Sequence, residues 1–270
     1  METNLYLLGL SSMGGLGLFF AALLVFADKK LRVEVDPKIM LIEEILPTAN
    51  CGACGEPGCP AFAEAVVKGT AEVNGCTVGG EEVANRIASI LGVEAKSVQK
   101  KVAKVFCRGG NKETDKKAIY YGVTSCSLAT KVGGGEKSCK YSCLGYGECV
   151  DSCKFNAMWM NANGLPVVDE DACTSCNKCV EACPRNLIEL HSPGIKLHVY
   201  CKNHDPGKIA KKICKVACIG CTLCVKPDPE NIKMVDSLAV IEYSDDYVGL
   251  EECAKKCPTD AIAYNLNPIH

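Results

Sequence analysis

The sequence predicts an α+β chain with one N-terminal transmembrane helix, a small helical domain carrying four cysteines, and two tandem modules of short strands and helices. Three observations predict it. Residues Leu5 to Ala27 carry no charge, 21 of the 270 residues are cysteine, and two cysteine-dense stretches near the C-terminus repeat one another.

The uncharged run is the first element. At 1.5 Å per residue it forms a helix roughly 35 Å long, enough to cross the hydrocarbon core of a bilayer. Lys29, Lys30 and Arg32 follow it. By the positive-inside rule they place the C-terminal bulk on the cytoplasmic side of the cell inner (cytoplasmic) membrane, as a single-pass protein in contact with lipid. A cleaved signal peptide would open on a basic stretch, and this chain opens Met-Glu-Thr-Asn. The formal net charge of −2 argues against nucleic acid as a partner, and four histidines leave little for His-based metal catalysis.

The cysteines are the second observation. A secreted scaffold would pair them, but the count of 21 is odd and most lie in tight C-x-x-C and C-x-x-x-C runs. In a reducing compartment that pattern reads as metal ligation. The strongest signal is Cys173-x2-Cys176-x2-Cys179-x3-Cys183-Pro184. One tight loop reaches three corners of an iron–sulfur cube, and the fourth ligand comes from elsewhere. In two-cluster ferredoxins the fourth cysteine of each run serves the other cluster. A zinc ribbon would instead show two separated cysteine pairs.

The partner run is Cys139-x3-Cys143-x5-Cys149-x3-Cys153, with Tyr146 where the ordinary spacing wants a cysteine. Cys139 is the available substitute. The expected sets are therefore Cys139, Cys143, Cys149 and Cys183 for one cluster, and Cys153, Cys173, Cys176 and Cys179 for the other.

The repeat is the third observation. Cys-Pro-Arg-Asn-Leu-Ile at 183–188 matches Cys-Pro-Thr-Asp-Ala-Ile at 257–262, and the run at 173–179 matches that at 218–224. In the second module Cys218, Cys221, Cys224 and Cys257 make one complete set. The companion set has Asp228, Tyr247 and Leu250 in place of cysteines, leaving Cys253 as an inert remnant.

Upstream, Cys51, Cys54, Cys59 and Cys76 form a self-contained set, with Gly52, Gly55 and Gly58 allowing a tight turn. Cys107, Cys126, Cys201 and Cys214 remain. Val105-Phe106-Cys107 and Val199-Tyr200-Cys201 look alike, each with a second cysteine downstream. Two such hairpins would hold one more metal, a cluster or a zinc, or else carry free structural thiols. The expected cofactors are four to five [4Fe-4S] clusters.

The expected domains are an anchor at 1–27, a four-Cys [4Fe-4S] domain at 28–106, a connecting segment at 107–135, a two-cluster bacterial-ferredoxin-like module at 136–190 and a degenerate one-cluster module at 191–270. Within them, helices are expected near 33–47, 61–68 and 81–105, a loop over 109–135, and a strand then a helix over 195–215. Lys208, Lys211, Lys212 and Lys215 fall on one helical face opposite Ile209 and Ile213, a candidate docking stripe for an acidic protein.

Glu-Ile-Leu-Pro, then Cys-Gly-Ala-Cys-Gly-Glu-Pro-Gly-Cys, then ferredoxin-like modules behind an apolar helix resembles the B subunit of the Rnf ion-translocating electron-transport complexes. The resemblance covers nearly the whole chain. It implies a component of a ferredoxin:NAD oxidoreductase, with soluble ferredoxin as donor and membrane and flavin-bearing subunits as partners, coupled to Na+ or H+ translocation. The chain has no Gly-x-Gly-x-x-Gly fingerprint after a strand, so no NAD or flavin site of its own is expected. Two other readings stay open: a membrane reductase that maintains an iron–sulfur sensor, and an activator of a corrinoid protein.

Overall fold

A computed structural model describes residues 2–31, 36–95, 99–244 and 247–264. Arg32 of the basic flank and the start of the expected 33–47 segment lie outside the described residues. The first helix, α1 (Glu2–Leu31), ends on Lys29 and Lys30. Its Gly9–Leu31 stretch is long and apolar enough to cross a membrane, and none of it is buried against the rest of the chain. An exposed apolar surface of this length is unfavourable in water and suits lipid.

Three helices make the first folded unit: α2 (Pro37–Ile45), α3 (Cys59–Val67) and α4 (Gly80–Leu91). Asp36 starts α2 by accepting a hydrogen bond from the Lys38 amide, with Pro37 at the first helical position. The three pack around Ile42, Leu46, Phe62, Val66 and Ile87. The helix expected over 81–105 stops at Leu91, because Gly92 adopts φ +72° and its amide caps Ala88.

The remainder of the helix expectation is a strand, β1 (Val102–Val105), which begins the next module. That module continues through α5 (Cys126–Val132), α6 (Glu148–Asp151), β2 (Met158–Met160), β3 (Pro166–Val168), α7 (Lys178–Ala182) and β4 (Ile188–His191). The segment expected as loop over 109–135 thus contains a short helix. The last module has β5 (Leu197–Val199), α8 (Gly207–Ile213), β6 (Ile232–Val235), β7 (Leu238–Ile241), α9 (Glu251–Lys255) and β8 (Ile262–Tyr264).

The two modules share one plan. The first strand pairs antiparallel with the last, β1 with β4 and β5 with β8, while the inner strands form a hairpin, β2 with β3 and β6 with β7. The match extends to single bonds. The Phe106 amide donates to Leu187 O and the Tyr200 amide to Ala261 O, each at 2.7 Å. Each bond fixes where the chain leaves its first strand, so Cys107 and Cys201 occupy equivalent places.

The modules meet through an aromatic cluster. Phe106 lies 5.2 Å from the His191 ring and 5.7 Å from His198, and Tyr243 lies 4.5 Å from His191. Lys202 sits 4.8 Å above Phe106 and pairs with Glu189, which also bonds His191. His198 is buried. Its Nε2–H donates to Ile195 O and its Nδ1 accepts from the Tyr243 hydroxyl, a neutral tautomer with both nitrogens satisfied.

Burial pulls the His198 pKa down to about 3, helped by the nearby His191 and Lys104. The unfolded chain takes up this proton near pH 6.5, so stability is full above that value and falls as pH drops toward the folded pKa. Between pH 7 and 5.5 the loss should be about 1 kcal/mol. The urea midpoint of the His198→Phe variant should lack that part of the acid dependence, and identical pH profiles would refute it.

Candidate metal centres

None of the 21 cysteines is joined in a disulfide, and 20 of them stand in five groups. In the second module Cys218, Cys221, Cys224 and Cys257 surround one cavity, together with Val199, Met234 and Ile262. In the first module Cys153, Cys173, Cys176 and Cys179 do the same with Ala103, Met158 and Leu190. The tight loops depend on left-handed residues, Ser175 at φ +58° and Asn177 at φ +65° in one, Gly220 at +66° and Thr222 at +63° in the other. A C-x-x-C-x-x-C run must turn this way to point three sulfurs inward.

The N-terminal four gather where α3 begins. Asn50 Oδ1 accepts from the Cys59 amide at 2.8 Å, and the Gly79 amide donates to Cys76 Sγ at 3.3 Å. Burial raises the Cys76 thiol, and Cys59, Cys51 and Cys54 add repulsion.

The remaining two groups differ from the expected ones by an exchange. Cys126, not Cys139, joins Cys143, Cys149 and Cys183 around a cavity under Leu187 and Ile188. Cys139, not Cys126, joins Cys107, Cys201 and Cys214 beneath Tyr200. The cause is a clamp. Ser125 caps α5, and the Glu148 carboxylate accepts from the Ser125 hydroxyl and from the Ser127 amide (3.0 Å) and hydroxyl (2.7 Å). That ties the start of α5 to the start of α6 and sets Cys126 beside Cys149.

Tyr146, standing where a cysteine was wanted, contributes its backbone: its amide and that of Glu148 point at the Cys126 sulfur. Cys139 is drawn the other way. The Ser138 amide donates to Asp115 O, and Asn203 Nδ2 donates to Cys139 Sγ at 3.7 Å.

The Cys107 group is the most heavily hydrogen-bonded. Its sulfurs accept from the amides of Cys143 (3.3 Å, to Cys107), Asn203 (3.5 Å, to Cys201) and Cys218 (3.4 Å, to Cys201), and from the Thr114 hydroxyl (3.5 Å, to Cys214). Thr114 and the Cys107 and Cys214 sulfurs close on Gly109, where a Cβ would come within 2.5 Å of the Thr114 hydroxyl. Both partner amides from cysteines belong to other groups: Cys143 to the Cys126 group, Cys218 to the Cys218 group.

The donor chemistry fits iron–sulfur clusters. Burial pushes the thiols of Cys143, Cys149, Cys179, Cys201 and Cys224 up to about 12, with mutual repulsion adding to it. Such thiols lose their protons when a metal supplies positive charge. Among the described residues, no three His, Cys, Asp or Glu side chains converge on a position for a single ion. Four sulfurs set around a cavity suit a polynuclear cluster better than a tetrahedral zinc.

Comparison with known proteins agrees. Residues 46–78 match a family model described as a putative Fe-S cluster, and residues 166–189 match a 4Fe-4S binding domain. A protein of Acetobacterium woodii, named as the B subunit of a Na+-translocating ferredoxin:NAD+ oxidoreductase complex, is 42% identical over 261 residues, spanning 96% of this chain and 78% of its own. The chain belongs to this B-subunit family.

Two further members of the B-subunit family show the same extent. The B subunit of an ion-translocating oxidoreductase complex of Methanosarcina acetivorans is 39% identical, over 93% of this chain and 95% of its own. The B subunit of a proton-translocating ferredoxin:NAD+ oxidoreductase complex of Clostridium ljungdahlii is 40% identical, over 92% and 88%.

In this member of the B-subunit family the place of a second cluster in the last module is filled. Asp228 and Tyr247 are buried, and the Tyr247 hydroxyl donates to Asp228 Oδ2 at 3.1 Å. Asn231 Nδ2 donates to Asp228 Oδ1 at 2.8 Å. Cys253 is fully buried in the same core. A ring and a satisfied carboxylate occupy the space and leave the surrounding strands in place. Cys253→Ala should therefore leave the iron content unchanged, whereas Cys257→Ser should lose or convert one cluster. Equal iron loss from both would show that Cys253 is a ligand.

The lysine stripe is only partly realised. Lys208, Lys211 and Lys212 are exposed on α8, which ends at Ile213, so Lys215 lies beyond it. Ile209 is 51% exposed, and the buried face is carried by Ala210, packed on Cys214 and Ala217. The helix that carries these lysines packs its Ala210 against Cys214 of the Cys107 group.

Proposed function

We propose that this chain is the iron–sulfur electron-transfer component of a membrane complex that oxidises reduced ferredoxin and passes electrons toward NAD, coupled to Na+ or H+ translocation. The observation that carries this reading is the end-to-end order of the cysteine groups. The Cys107 group accepts an amide from the Cys126 group on one side and from the Cys218 group on the other. Cys179 of the Cys173 group acts on Cys149 of the Cys126 group. Cys51 and Cys176 both act on Lys178, whose main partner is Glu181, so the N-terminal group and the Cys173 group share a charged neighbour.

On this reading the ligands are Cys51, Cys54, Cys59 and Cys76; Cys153, Cys173, Cys176 and Cys179; Cys126, Cys143, Cys149 and Cys183; Cys107, Cys139, Cys201 and Cys214; and Cys218, Cys221, Cys224 and Cys257. Each [4Fe-4S] cluster, when bound, supplies one-electron chemistry. The protein supplies the sulfurs, the amide donors and the apolar walls that exclude water, levers that set reduction potentials. Five clusters correspond to about 20 irons per chain.

The basic end of α1 supports an inner-membrane anchor with the clusters on the cytoplasmic side. No dinucleotide fingerprint is present in the sequence, so NAD is reduced on a flavin-bearing partner.

The exposed lysines of α8 suit an acidic ferredoxin as electron donor. Changing Lys208, Lys211, Lys212 and Lys215 to Gln should slow reduction of the reconstituted protein by reduced ferredoxin about tenfold at low salt and flatten its salt dependence, a steering effect of ordinary size. Reduction by dithionite should not change. Unaltered ferredoxin kinetics at low ionic strength would remove this surface from the path.

A further inference from the structure

Two cations lie between the Cys126 and Cys107 groups. Lys137 is 1% exposed, and its Nζ donates to Gly109 O at 3.0 Å. Gly109 packs against the sulfurs of Cys107 and Cys214. The Cys107 sulfur also accepts from the Cys143 amide at 3.3 Å, so Lys137 is anchored where the two groups meet.

Arg185 is half-buried and donates to three backbone carbonyls: Gly134 at 2.8 Å, Ser142 at 2.9 Å and Cys139 at 3.3 Å. Cys139 belongs to the Cys107 group, and Ser142 directly precedes Cys143 of the Cys126 group, so the guanidinium bridges the loops of both. Among the described residues, neither cation forms an ion pair with a carboxylate. The nearby Glu136 is taken by Lys116.

A buried ammonium without a counter-ion is costly, and proteins rarely keep one unpaired. Here the available negative charge is that of the cysteine sulfurs. We propose that Lys137 and Arg185 are the fixed counter-charge of a redox junction, where they raise the reduction potentials of the Cys126 and Cys107 centres and make this pair the resting place for an electron on the path. The proposal rests on the ligand sets assigned above.

Reduction adds one electron to a centre, taken from reduced ferredoxin or, in a titration, from dithionite. Each added negative charge is stabilised by a nearby fixed positive one, the more so where water is excluded. The structural alternative is that both side chains merely staple loops, since each bonds to backbone carbonyls. A measured potential separates the two, because a staple replaced by a neutral side chain changes fold or iron content and not the charge balance alone.

The test is an anaerobic redox titration of the full reconstituted chain, followed by EPR with dithionite and mediators. Lys137→Met and Arg185→Gln should each keep the wild-type iron content. Each should make reduction of at least one centre tenfold less favourable, which is about 59 mV for a one-electron couple. Lys137→Arg, which keeps the charge, should stay close to the wild type. Potentials unchanged in both neutral variants, with iron intact, would overturn the proposal. If Lys137→Met loses iron, the Arg185→Gln potential decides alone, since that variant leaves the buried lysine in place. A wild-type chain without [4Fe-4S] signals would instead overturn the ligand assignment on which the proposal stands, and the titration needs neither ferredoxin nor a partner protein.

Discussion

Cys126→Ser and Cys143→Ser should remove the same cluster, and Cys139→Ser a different one. Each single variant is expected to lose about four irons. The double Cys126→Ser/Cys143→Ser should lose no more than either single change, because one missing ligand already disables that site. The double Cys139→Ser/Cys143→Ser should lose about eight. Spacing along the chain favours the opposite result, since it puts Cys139 and Cys143 in one set. The doubles thus decide between proximity in sequence and proximity in space. Iron and sulfide counts with EPR of the anaerobic protein are the measurement. A four-iron loss from the Cys139/Cys143 double would restore the partition read from spacing and refute the one read from geometry.

Removing iron should unfold both strand modules. Every sheet in them has two strands, and such hairpins are marginal alone in water. Their cores are built partly from sulfur: Cys173 and Cys179 sit among Val102, Met158 and Ile188, and Cys218 and Cys224 among Leu197, Ile232 and Ile262. Binding a structural metal typically contributes about 10–16 kcal/mol in small metal-held domains, as large as the whole stability of an ordinary domain, about 5–15 kcal/mol.

Without metal, buried thiols raised to about 12 in several places revert to the neutral form and no longer cross-link the loops. Chelation under anaerobic conditions should abolish near-UV dichroism and open residues 99–264 to protease, while α1 persists in detergent. The α2–α4 unit should keep part of its helix content, because Ile42, Phe62 and Ile87 form a core without sulfur at its centre. An iron-free protein with native protease resistance in both strand modules would show that side-chain packing alone suffices.

How much of this was legible depended on distance along the chain. The membrane helix needed only an uncharged run, because the bilayer fixes the length that matters. The sets built on C-x-x-C-x-x-C loops needed only local geometry, since left-handed turns at Ser175, Asn177, Gly220 and Thr222 are properties of short segments. The likeness of the Cys107 and Cys201 hairpins was visible in Val105-Phe106 and Val199-Tyr200, and the equivalent bonds to Leu187 and Ala261 give it a cause. The strand at Val102–Val105 was hidden because its apolar residues also continue the helical pattern of α4, and only Gly92, with its positive φ, ends that helix.

The exchange of Cys126 and Cys139 had no local signature. It is decided by the Glu148 clamp on Ser125 and Ser127, about twenty residues away, and by Asn203, 64 residues from Cys139. Lys137 and Arg185 likewise have no local signature: folding buries one and half-buries the other beside two groups of sulfurs. Sequence by itself therefore offered the candidate cysteines and the short loops that hold three sulfurs together, because bond geometry over a few residues dictates those loops. Only the tertiary structure decided which distant cysteine completes each set and which charges lie between them, because those choices depend on hydrogen bonds that close large loops.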